Sequence, residues 1–120
     1  MKRGLVVLAI SMMCARVGAQ GPQAQTAVPQ GNEQNGRQLF AAYYCTACHG
    51  TMGQGGAAGA RIAPRPIAFA AFQKYLRQPT GQMVPYTRTV LSDADLTDIY
   101  AFLRSLPASA SSKDIPLLSQ

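Results

Sequence analysis

Apolar residues recur at helical intervals in three separate stretches of this chain, and no stretch alternates strictly between apolar and polar positions. The first stretch begins after Asn32, a residue suited to capping, with Glu33 in the first turn and Leu39, Phe40, Tyr43 and Tyr44 on a helical repeat. It predicts a helix that delivers Cys45 at its end. The second, Ala68 to Gln78, places Phe69, Phe72, Tyr75 and Leu76 on one face and is closed by Pro79-Thr80-Gly81. The third opens at Ser92 with an S-x-x-D pattern completed by Asp95, carries Leu96, Ile99, Tyr100, Leu103 and Leu106, and is stopped by Pro107. The pattern predicts an all-α fold of three main helices.

The intervening segments read as loops. Gly50 to Gly59 is too rich in glycine for a regular element, Pro64 and Pro66 bracket a turn, and Gln82-Met83-Val84-Pro85-Tyr86 has the punctuation of an ordered loop. At the start, Lys2 and Arg3 precede an apolar run and then Val17-Gly18-Ala19, the layout of a signal peptide cut after Ala19. The run is short for a membrane span, so no stable membrane insertion is expected if the leader is cleaved; retention as an anchor is the alternative. The expected organisation is a leader over 1–19, a flexible lead-in over 20–31, one domain over 32–107 and a flexible tail over 108–120. The expected location is the periplasm.

Composition changes this picture modestly. The formal charge is +6, but Lys2, Arg3 and Arg16 would leave with the leader, and no Lys/Arg tract or RNA-binding motif points to nucleic acid. Cutting 19 of the 120 residues leaves a chain long enough for a single small domain. Such a domain has a limited core, which a large apolar prosthetic group would extend.

The chemistry is concentrated in Cys45-Thr46-Ala47-Cys48-His49. Two thiols and an imidazole at this spacing suit covalent attachment of a haem through thioethers, with His49 as the proximal iron ligand. A structural zinc site needs four ligands, and His49 is the chain's only histidine, so no second pair exists. A thioredoxin-like dithiol site calls for a βαβ context, which the helix and glycine loop flanking the motif do not offer. In an oxidising compartment, thioether formation also removes two thiols that would otherwise form a disulfide. For the distal iron position, Met1, Met12 and Met13 fall in the leader, Met52 lies too close to His49 to round the ring, and Met83 has ample chain to do so. Lys74 or an open distal site are the alternatives.

On these residues the chain resembles the class I monohaem c-type cytochromes of the small bacterial periplasmic kind, over about 32–107. Cys45, Cys48 and His49 match the attachment motif, Met83 with Pro85 and Tyr86 resembles the distal methionine loop, and Leu96 to Leu106 resembles the C-terminal helix. Val84 stands where the family usually has proline. The resemblance implies the cytochrome c fold, with loops wrapped around one covalently attached haem c per chain. It implies a crossing of the first and last helices in which Gly36 and Phe40 face Ile99 and Phe102. It also implies that a proline carbonyl, matched here by Pro64, accepts a hydrogen bond from the proximal imidazole. Tyr75 and Tyr86 are candidate donors to the haem propionates in the pocket, with Arg65 or Arg77 offsetting their charge.

With both axial positions filled, the iron offers no substrate site, and the expected role is electron transfer rather than catalysis. The partners would be redox proteins, a donor dehydrogenase and an acceptor oxidase or reductase. Three alternatives stay open: a haem-bearing subunit of a periplasmic dehydrogenase, a gas-binding haem sensor if Met83 does not ligate, and a C-x-x-C dithiol oxidoreductase if no haem attaches.

Overall fold

The computed structural model describes residues 28–108 together with Lys113, Ile115 and Pro116. The leader over 1–19, the lead-in as far as residue 27 and most of the tail lie outside the described residues. The apolar stretches fold as α1 (Glu33–Ala42), α3 (Phe69–Arg77) and α4 (Asp93–Ser105), and a short helix, α2 (Cys45–His49), is formed by the cysteine motif itself. Among the described residues there is no strand beyond an isolated bridge between Gly56 and Gly59.

The caps follow the sequence. The Asn32 side chain accepts from the Asn35 amide at 2.9 Å, and Ser92 Oγ accepts from the Asp95 amide at 3.0 Å, satisfying donors that each helix start leaves open. On α4, Leu96, Ile99, Tyr100 and Leu103 are buried as their spacing requires, and Phe102 joins them. On α3, Phe72 and Leu76 are buried, whereas Tyr75 is exposed and donates its hydroxyl to the Thr80 carbonyl at 3.2 Å.

The core lies where α1 crosses α4. Gly36 and Phe40 are the buried residues of α1, and the Phe40 ring meets Phe102 at 5.6 Å between centroids. A Cβ at Gly36 would collide with the Asp98 carbonyl and lie 2.9 Å from the Ile99 nitrogen, so glycine sets the closeness of the two backbones. Asp98 braces the same crossing by accepting from the Asn32 amide and from Asn35 Nδ2, each at 2.7 Å. Tyr100 attaches α3: its ring packs edge-on against Phe69 and tilted against Phe72, and its hydroxyl donates to the Ile67 carbonyl.

The first helix differs from expectation. It stops at Ala42 instead of running to Cys45, and Tyr44 takes a left-handed conformation with φ 59°. A side chain larger than glycine is uncommon in that region and carries a conformational cost. The turn puts Tyr44 outside the helical repeat, 79% exposed, and gives the cysteine motif a direction of its own.

Candidate haem-attachment site

Cys45 opens α2 and His49 closes it, so the two thiols and the imidazole share little more than one helical turn. None of the residues of α2 is buried to core level. What orders the motif is the glycine loop that follows. The Gly55 amide donates to the His49 carbonyl at 2.8 Å, the Gly56 amide donates to the Gly59 carbonyl at 2.9 Å, and the tight turn between them lays Gly59 against Cys48. A Cβ at Gly59 would lie 2.7 Å from the Cys48 carbonyl oxygen and 3.0 Å from its Cβ. The loop's lack of side chains is therefore a condition for its approach to the motif.

That loop also fixes the histidine. His49 Nδ1 lies 2.7 Å from the Ala60 carbonyl oxygen. A carbonyl can only accept, so Nδ1 carries a proton, and in the neutral ring this leaves the lone pair on Nε2, the arrangement a metal-ligating imidazole needs. The expectation that Pro64 supplies this carbonyl is corrected. The chain meets the ring at Ala60, and by Ile62 and Ala63 the backbone amides have turned to donate to the Gly53 carbonyl.

Cys45 and Cys48 are unbonded, Cys45 half-buried and Cys48 exposed. Burial above all pushes the Cys45 thiol up to about 11. A dithiol oxidoreductase needs the opposite, an attacking thiol held below its ordinary value. Among the described residues no group of three or more His, Cys, Asp or Glu side chains is assembled that could hold a metal ion by themselves. Two unbonded thiols beside an imidazole oriented through Nδ1 are the donor set for thioether attachment and proximal ligation, and the residues present fit a haem.

The distal loop returns to this motif through Tyr86. Its hydroxyl donates to the Tyr43 carbonyl at 2.7 Å and lies within hydrogen-bonding reach of the Cys45 thiol, and its ring meets Tyr43 edge-on at 6.2 Å. Burial and the neighbouring Cys45 raise its ionisation above the ordinary phenol value, keeping it a donor. Tyr86 thus lies beside the attachment motif, and its hydroxyl is committed to backbone rather than free for a propionate. Arg77 is committed as well, to the Tyr86 carbonyl and to Asp93. Met83, three residues before Tyr86, is half-buried against the core, whereas Met52 is 41% exposed. Sequence reasoning missed Ala60, because a backbone acceptor leaves no signature in residue type. It also missed Leu91, fully buried in the loop before α4 and outside every periodic run.

Residues 31–103, more than half of the chain, match the family model described as cytochrome c oxidase, cbb3-type, subunit III. The chain belongs to this family. No curated protein and no solved structure gives a significant match. As a c-type cytochrome domain, its all-α architecture is the cytochrome c fold, and the family implies haem c bound covalently, for which Cys45 and Cys48 are in place. The role that belongs to such a domain is haem-based electron transfer, as a carrier or as an oxidase subunit. Among the described residues no helix of this cytochrome domain is long and apolar enough to cross a membrane.

Proposed function

We propose that this chain is an exported, periplasmic electron-transfer protein holding one haem c, with His49 and Met83 as the axial ligands. The observation that carries the reading is Tyr86. Its contacts to Cys45 and Tyr43 bring the distal loop to the attachment motif, so Met83 lies only three residues of chain, about 10 Å at most, from a residue touching the motif. When bound, the haem supplies a one-electron couple between ferrous and ferric iron. Cys45 and Cys48 tether it, and His49 is oriented by Ala60 with Nε2 free to ligate. Half-buried Tyr43 and Tyr86, in edge-on contact and packed on the core, supply apolar surface beside Cys45.

The test is Met83→Ala in the haem-loaded protein. The expected result is loss of the low-spin His/Met absorption spectrum and a lower reduction potential, because thioether sulfur favours the reduced iron. An unchanged spectrum overturns Met83 as ligand and reopens the gas-binding reading, which carbon monoxide uptake by the ferrous protein would then register.

A second reading keeps the electron transfer and makes the chain a fixed subunit of a larger redox complex. The family's description as an oxidase subunit favours it over a free carrier of dehydrogenase electrons. Purification from the native host separates the two: co-elution with oxidase or dehydrogenase subunits supports the complex, and a free small cytochrome supports the carrier.

A further inference from the structure

The loop from Gln78 to Ser92 carries Met83 yet has little apolar anchorage. Val84 is 63% exposed and Val90 55% exposed, which leaves Met83, Tyr86 and Leu91 as its inward side chains. The rest of its fastening is polar, and Arg77 supplies two of those ties and links them to α4. Arg77, the last residue of α3, donates from Nη1 to the Tyr86 carbonyl at 2.8 Å and to the Thr87 carbonyl at 3.3 Å. From Nη2 it donates to Asp93 Oδ1 at 2.7 Å, on the first residue of α4. Its side chain is only 13% exposed. Gln73, one turn earlier on α3, donates to the same carboxylate oxygen at 3.0 Å, and the Tyr86 amide donates to the Leu76 carbonyl at 2.9 Å.

A planar guanidinium can serve two carbonyls with one nitrogen and a carboxylate with the other, in a fixed fork. Arg77 therefore ties the end of α3, the return limb of the distal loop and the start of α4 into one unit. The bonded carbonyls begin three residues after Met83.

We propose that Arg77 is a positioning residue for Met83: by clamping the Tyr86–Thr87 backbone to Asp93 it fixes the loop so that the sulfur stays at the distal face. This rests on the His49/Met83 reading above. The clamp touches neither the haem-binding cysteines nor His49, and it acts through the loop alone. Without it the loop keeps its Tyr86 contacts and the Arg88–Asp93 pair but loses the tie from the end of α3 to the Tyr86–Thr87 backbone, and the population with the sulfur withdrawn rises.

The test uses the haem-loaded ferric protein and imidazole as an external ligand, which binds only when the sulfur is off the iron. Its apparent affinity follows the sulfur-off population. Arg77→Met keeps the apolar stem and removes the fork. It is expected to raise imidazole affinity by about tenfold or more, the factor that corresponds to losing a charge-assisted hydrogen bond, and to weaken the sulfur-to-iron charge-transfer absorption. Arg77→Lys keeps the charge but not the fork and should fall between wild type and Arg77→Met; it also reads the same quantity if Arg77→Met fails to fold. A thermal midpoint that falls while imidazole affinity stays within about twofold of wild type would reduce Arg77 to a structural brace and overturn the proposal. Failure of the underlying reading looks different: wild type itself would lack the sulfur absorption, or Met83→Ala would keep it.

Discussion

Gly36→Ala is the sharpest test of the crossing on which the site is mounted. Helix propensity alone predicts that the change stabilises α1 by about 1 kcal/mol. Geometry predicts the reverse. The new Cβ would collide with the carbonyl of Asp98 and lie 2.9 Å from the Ile99 nitrogen, and all of these atoms belong to the backbone of α4, which no rotamer change can move aside. The helices would have to separate by on the order of 1 Å, a gap at which packed atoms lose a quarter to a half of their contact energy. Phe40 and Ile99, each 1% exposed, and Phe102 meet at that interface. Overpacking of this kind costs ~1–3 kcal/mol. Separation would also stretch the two bonds that Asp98 accepts from Asn32 and Asn35, each worth about 1 kcal/mol. With the propensity gain offset, the net loss is about 2–4 kcal/mol, a large share of a small domain's stability. Equilibrium urea unfolding of the haem-loaded protein, followed by circular dichroism, should show a midpoint lower by roughly 1–2 M. A midpoint equal to or above wild type would refute the close crossing.

Two further predictions concern the loops. Gly59→Ala would set a Cβ 2.7 Å from the Cys48 carbonyl oxygen; the loop must lift, loosening the Ala60–His49 bond, and the fraction of chain that retains haem after denaturation should fall, an unchanged fraction being the contrary result. Arg77 first and Arg88 second hold the Asp93 carboxyl down to about 2, below its ordinary 3.8. A depressed carboxylate contributes stability that is complete above the ordinary value and is lost as pH falls through the folded one. The stability difference between wild type and Asp93→Asn should accordingly be constant at neutral pH and shrink between 3.8 and about 2; a difference independent of pH across that window would contradict the ion pairs.

Legibility in the sequence divides by the kind of interaction. The three long helices and their Asn32 and Ser92 caps could be read because each depends on residue type at a fixed period, whereas the Gly36–Phe40 face of α1 was legible only through the family resemblance. The break at Tyr43–Tyr44 could not. Neither glycine nor proline marks it, and Ala41-Ala42-Tyr43-Tyr44 reads as continuing helix, so the left-handed turn at Tyr44 has no marker in residue type. Ala60 escaped because its contribution is a carbonyl common to every residue. The Arg77–Asp93 pair spans 16 positions and joins two elements whose relative placement only the fold supplies. The family resemblance points to Pro64 by position alone, whereas the acceptor is Ala60, four residues earlier, next to the compact Gly56–Gly59 turn.

The same division explains why so much of this site is backbone. A five-residue helix has no stability of its own, since nucleation consumes nearly all its hydrogen bonds. With none of its residues buried to core level, α2 leans on the core only through the half-buried Cys45. It is held instead at its ends: Tyr86 touches Cys45 at the start, and the glycine loop grips the His49 carbonyl and ring at the finish. Each grip belongs to a different loop, and Tyr86 itself is clamped through its carbonyl by Arg77. On the ligation proposed above, two thioethers and two axial bonds would join these same loops a second time through the haem. On that reading attachment would close a circuit that the polypeptide has already sketched in hydrogen bonds, and the haem would add to the one apolar contact that Cys45 gives α2.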